Sequence, residues 1–306
     1  MKNMIFKKIF IFCFVFFLSF FLSGCSVRNI VHTTFKPLVE ELQKSVLSES
    51  HEDISKGSLP FAIKFAEAFY YYYPKSSYYS SKLALLYSAY AFAYVDDGPY
   101  SDFDDQAAVK SKQSMELYRK AFYYGLLSLD KRIDGFAVNI YEKNLVEGLL
   151  EKTKKRDVET LFWFDFAWAL MLFEDLSDVK NLAALETIKK IAERIIELDK
   201  SYLYGSAYAI LCAYYGARTE AIGGDLKKAE EFYEEAKTFS KGNSLVPDYV
   251  MMRFVATQQA NSKSFDKYYG EIEKFDVTQN KDFAYVNVFL KRKAKNLYKR
   301  KKELFF

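Results

Sequence analysis

Histidine and cysteine are nearly absent from the 306 residues: two histidines, His32 and His51, and three cysteines. With so few, the chain has no His/Cys cluster at zinc spacing and no Ser-His-Asp set, so chemistry built on imidazole or thiolate finds no footing. Cys13 lies inside an N-terminal apolar run and Cys25 just after it, leaving Cys212 alone in the body, where a single thiol closes no intrachain disulfide. Its apolar neighbours predict a buried, inert thiol. Glycine (12) and proline (5) are also scarce, and alternating β-branched runs are few. That poverty argues against sandwiches and barrels and for an all-α body.

A large excess of one charge is missing too. The net charge is +4. Taking away Lys2, Lys7 and Lys8 leaves 41 basic residues against 40 acidic; eight of the basic ones lie between Lys291 and Lys302, and the remainder, 33 against 40, is acidic. A nucleic-acid binder carries cations across a whole face, so no nucleic-acid partner is expected.

What is abundant is aromatic: 29 Phe, 25 Tyr and 2 Trp in a chain that is half hydrophobic. Coding bias accounts for such an excess as well as selection does. Residues 1–24 combine a basic start with a Phe-rich run from Ile9 to Leu22 and small residues before Cys25. The run is shorter than the ~20 residues needed to span a bilayer, so it reads as a secretion signal. Leu22-Ser23-Gly24-Cys25 resembles a bacterial lipobox, which implies that Cys25 is acylated and cleaved to become the new amino terminus. Domain boundaries follow: signal 1–24; lipidated N-terminus, tether and first helix 25–50; helical domain 51–306. The tether is expected to reach about Pro37, with a first helix over Leu38–Leu47.

The hydrophobic period then predicts helices over Ser58–Tyr73, Tyr78–Tyr94, Gln106–Leu129, Leu161–Leu176 and Asn181–Leu198, with Ile133–Leu150 less regular. Five aspartates between Asp96 and Asp105 invite a calcium-loop reading, but counting from Asp102 the sixth and twelfth positions hold Ala107 and Gln113 instead of Gly and Glu. The stretch reads as a solvated turn, and no metal or cofactor is expected. Later pairs fall at Val246–Ala260 with Ser264–Lys274, and Asp282–Leu304 closes the chain. KRKAKNLYKRKK points outward there, as the polar face of a terminal repeat; attraction to anionic lipid or an acidic partner is the other reading.

The centre of the organisation is AYAILCAYYGARTEAIGGDLKKAEEFYEEAKTFSKG, Ala207–Gly242. Tyr208, Leu211 and Tyr215 recur at helical spacing, Gly223 and Gly224 break the pattern, Asp225 caps a second, amphipathic helix, and Gly242 stops it. Ala229, Tyr233 and Ala236 resemble the second helix of a tetratricopeptide repeat (TPR), with GARTEAIGGD an insertion of about half a dozen residues into a repeat of roughly 34. The fold class expected is therefore an all-α, TPR-like solenoid of helical hairpins in one domain.

Three stretches carry a closer resemblance: SAYAFAYVDD with LYRKAFYYGLLSL; LFWFDFAWAL with IIELDKSYLYGSAYAILCAYYGAR; and AIGGDLKKAEEFYEEA. Together they resemble the TatT family, TPR-like lipoproteins associated with tripartite ATP-independent periplasmic (TRAP) transporters. The resemblance implies a periplasm-facing accessory subunit, not an enzyme. It implies a homo-oligomer, a trimer in the family, bound to the periplasmic substrate-binding protein and passing a small hydrophobic or carboxylate-bearing ligand. A scaffold lipoprotein for envelope assembly is the competing reading, and a hydrolase using paired carboxylates a third. For a ligand groove the candidates are Phe164, Trp168, Tyr208, Tyr215 and Arg218, since aromatics with one cation suit an amphipathic acid. The bland reading is that aromatics at helical spacing are core.

Overall fold

A computed structural model describes residues 27–96, 105–173, 179–278 and 280–305. The leader, Cys25 and residues 97–104 of the aspartate-rich stretch lie outside these. Every regular element among the described residues is helical, as expected. The chain divides into two compact units, Met1–Val46 and Leu47–Phe306.

The first unit is described through one helix, α1 (Val27–Ser48), which runs two residues past it. The expected tether is thus helical from Val27, with Pro37 inside. Proline already has a helical φ and forfeits one backbone donor, so a helix of this length absorbs it at a cost of about 3 kcal/mol.

In the second unit, α2 (Glu52–Tyr72) starts ahead of the expected Ser58, because Glu52 and Asp53 complement the positive end of the helix dipole. It is followed by α3 (Ser77–Tyr90), α4 (Asp105–Asp130), the short α5 (Phe136–Asn139) and α6 (Val146–Glu151), α7 (Val158–Phe173), α8 (Val179–Asp199), α9 (Ser206–Gly216), α10 (Leu226–Ser240), α11 (Val246–Val250), α12 (Ser262–Lys274), α13 (Ala284–Lys299) and α14 (Lys301–Leu304). Two of these loosen into π-helical turns at their C-terminal ends, α3 over Ala91–Val95 and α11 over Met251–Ala256.

The helix α7, apolar nearly all round, lies against α3, α4, α8 and α9. Burial on several sides is what an unstriped helix requires. Small residues permit the close approach: Ala84, Ala121 and Ala167 are fully buried where α3, α4 and α7 meet, and a Cβ added to Gly125 would come within 2.9 Å of Phe164 Cβ. From α7 the packing runs through α8, α9 and α10 and, by the π turn after α11, to α12 and α13. The helix α13 then returns to α2, where Arg292 Nε meets Glu52 Oε1 at 2.5 Å. The row of hairpins therefore closes on its own beginning.

Candidate functional site

The α9–α10 hairpin is built as its sequence predicts. Gly223 has φ +84°, the left-handed region that a side chain disfavours. At Gly224 any Cβ would sit 2.0 Å from the Arg218 carbonyl oxygen. Asp225 accepts from the Lys228 amide at 3.0 Å, and its own amide donates to the Tyr215 carbonyl at 2.9 Å. Arg218 closes the turn from inside: Nε donates to the Tyr214 carbonyl at 2.9 Å, Nη1 to the Ile222 carbonyl at 3.1 Å, and the guanidinium lies 4.0 Å from the Tyr214 ring centre. Gln259 Nε2 ties the same strand of chain by donating to the carbonyls of Gly216 and Arg218, both at 2.9 Å. Arg218 is buried, and its Nη2 has no hydrogen-bond partner among the described residues.

The other candidate residues fall in separate places. Phe164 is fully buried, stacked on Phe122 at 4.9 Å and beside Trp168 at 5.5 Å. Trp168 also meets Tyr141, which is half-exposed above it, at 5.8 Å. Tyr208 stacks on Phe239 at 5.0 Å and Tyr215 on Phe232 at 5.6 Å, both pairs nearly parallel, joining the two ends of α9 to α10. Lys228 lies over the Tyr215 ring at 5.1 Å. The five residues thus form an aromatic pair on α7 packed against α4, and a row along α9 ending at Arg218. An open groove of about 880 Å³ lies between α10 and α12, lined by Phe232, Tyr233 and Tyr268 and by Glu230, Glu231, Glu234 and Glu235.

Cys212 is buried against Met251, Sγ to Sδ 3.3 Å, and burial pushes its thiol up. The expectation of an inert thiol agrees with this placement.

The largest departure concerns charge. Asp96, read from the sequence as part of a solvated turn, is buried, at the end of the π turn of α3. Arg253 Nη2 donates to both of its oxygens, at 2.9 and 3.0 Å, and the Tyr118 hydroxyl donates to Oδ2 at 2.8 Å. Lys293 Nζ donates to the Asp96 main-chain oxygen and lies 4.0 Å from Oδ1. Burial is the largest single influence on Arg253 and works against its charge, but Asp96, Tyr249 and Tyr118 together outweigh it and raise the guanidinium pKa. Lys293 and Arg292, expected on the outward basic face, point inward instead, toward Asp96 and Glu52. Asp96 and Arg253 are 157 positions apart, so no local spacing announces them. Both π turns contribute to the cluster, and such turns often mark functional positions. A second buried acid, Asp165 on α7, has no hydrogen-bond partner for either oxygen among the described residues, and burial holds its pKa well above the usual carboxylate range.

No helix among the described residues is long and apolar enough to cross a membrane. A protein of Treponema pallidum (strain Nichols), described as uncharacterized, is 26% identical to the chain over an alignment of 262 residues that covers 78% of this chain and 79% of that one. Residues 48–305 match the family model described as TRAP transporter T-component (TAtT), a transporter accessory family and not an enzyme family. The chain belongs to the TRAP transporter T-component family, and its role is that of a TRAP-associated accessory component of the cell envelope.

Proposed function

We propose that this chain is a lipid-anchored, periplasm-facing accessory subunit that binds the substrate-binding protein of a TRAP transporter and helps pass it a small hydrophobic or carboxylate-bearing ligand. The observation that carries this reading is the T-component match over nearly all of the second unit. The anchor is acylated Cys25, argued from the lipobox alone. The working form is a homo-oligomer, for which exposed apolar residues on α2 (Ile54, Phe61, Tyr72) and around α5 and α6 (Val138, Tyr141, Leu145) offer contact surface.

Ligand contact is assigned to Arg218 with Tyr208 and Tyr215 along α9, and to Phe164 and Trp168 as apolar support. What favours Arg218 is its Nη2, which has no partner among the described residues and is a spare donor of the kind a carboxylate recruits. The test is a native-mass pull-down of the chain lacking its first 25 residues against secreted solute-binding proteins of the same cell. Capture of one such protein by an oligomer supports the reading. Capture of envelope-assembly factors instead, or a monomer that retains nothing, refutes it and favours a scaffold.

A further inference from the structure

We propose that Lys295, Lys299 and Lys302 form a docking stripe for an anionic lipid surface. Eight cations crowd the stretch between Lys291 and Lys302, and the structure consumes five of them. Lys291 donates to the carbonyls of Glu273 and Phe275. Arg292 and Lys293 turn inward to Glu52 and Asp96. Arg300 pairs with Glu303 at 2.9 Å, and Lys301 with Asp266 at 2.7 Å. The three that remain are all exposed: Lys295 and Lys299 stand one turn apart on α13, with buried Leu297 on the opposite face, and Lys302 follows in α14 just past the break at Arg300.

The composition of the stripe selects its partner. Protein interfaces are anchored by Trp, Tyr and Arg seated in pockets and are depleted in lysine. Here the three cations without a partner among the described residues are lysines, and no large hydrophobic side chain described on α13 or α14 stands exposed. Compact, strongly hydrated ammonium groups with no apolar anchor suit a diffuse layer of negative headgroups that asks for no shape match. The exposed glutamates of α10 are repelled by such a layer, so the attraction also orients the body. The same stripe reinforces any lipid anchor, since stable membrane attachment takes two signals. The inference is independent of the partner assigned above.

At about fivefold per lysine near the surface, the stripe is worth about a hundredfold in partition. The full chain is diluted from detergent into phosphatidylcholine vesicles with and without phosphatidylglycerol, and the bound fraction is read by flotation. Any apolar or acyl anchor serves both vesicles alike, so their ratio isolates the charge. About a hundredfold preference for the anionic vesicles is expected, falling as sodium chloride is raised and lost in K295E/K299E/K302E; the milder K295Q/K299Q/K302Q serves if the first variant loses helicity by circular dichroism. Equal partition of the unaltered chain overturns the proposal, and so does a preference that survives in the variant. Salt-sensitive binding to an acidic protein without preference between vesicles reassigns the stripe to a protein partner and equally overturns it.

Discussion

Asparagine at position 96 would leave the guanidinium of Arg253 and the ammonium of Lys293 buried around a neutral amide. Removing one partner of a buried ion pair costs about 3–5 kcal/mol, because the remaining charge stays out of water without compensation. With two cations on one carboxylate, Asp96→Asn falls at the upper end, about 5 kcal/mol, comparable to the whole stability of a marginal domain. Arg253→Met is the informative contrast. It removes one cation, leaves the carboxylate with Lys293 and the Tyr118 hydroxyl, and fills much of the vacated volume with an apolar chain. Its cost is expected near 2 kcal/mol, most of it lost packing over Phe92 and Phe254. Urea unfolding followed by far-ultraviolet circular dichroism reads both, and added salt leaves the difference intact because buried charges are poorly screened. Equal losses in the two variants would refute the reasoning, since the Asp96 carboxylate would then compensate only one of the two cations.

Asp165→Asn tests the other buried acid. Its folded pKa lies above the unfolded value of about 3.9, so its contribution to stability is complete below that value and is lost as pH rises through the folded pKa. The stability of the variant relative to the parent chain should therefore rise with pH, by up to about 1.4 kcal/mol per unit within the window, and a difference that stays constant from acid to neutral pH would discard the account. Arg218→Ala removes two bonds to main-chain carbonyls that brace the turn, so about 2 kcal/mol of stability should go with it in thermal melts. Any effect on partner capture has to be read well below that variant's melting temperature. Lys241, exposed at the end of α10 with φ +48°, should gain about 0.5–1 kcal/mol on replacement by glycine; an unchanged or lower melting temperature would show that the left-handed residue carries no strain.

Local chemistry was legible in the chain. Gly223, Gly224 and Asp225 mark a turn and a cap whose bonds span at most ten residues, and the hairpin forms where they place it. The apolar run of α7 has no polar stripe and requires burial on several sides for the same reason: periodicity is a property of neighbours in sequence. The candidate aromatics were visible as residues but not as an arrangement. Tyr208 and Tyr215 are two turns apart on one helix and could be foreseen in one row, whereas the stacking of Phe164 on Phe122 depends on how α4 meets α7.

The sequence alone determined that the body is helical, where most helices start and stop, and that the GGD turn has its tight geometry. These follow from propensity, capping and the exclusion of a Cβ, which act over a handful of residues. Only the tertiary structure decided which charges are interior. Asp96 among its fellow aspartates and Lys293 among its fellow lysines carry no local mark, and a charge moves inside only when a remote partner, here Arg253 or the far end of the closed row of hairpins, is brought within hydrogen-bonding distance to offset its lost hydration.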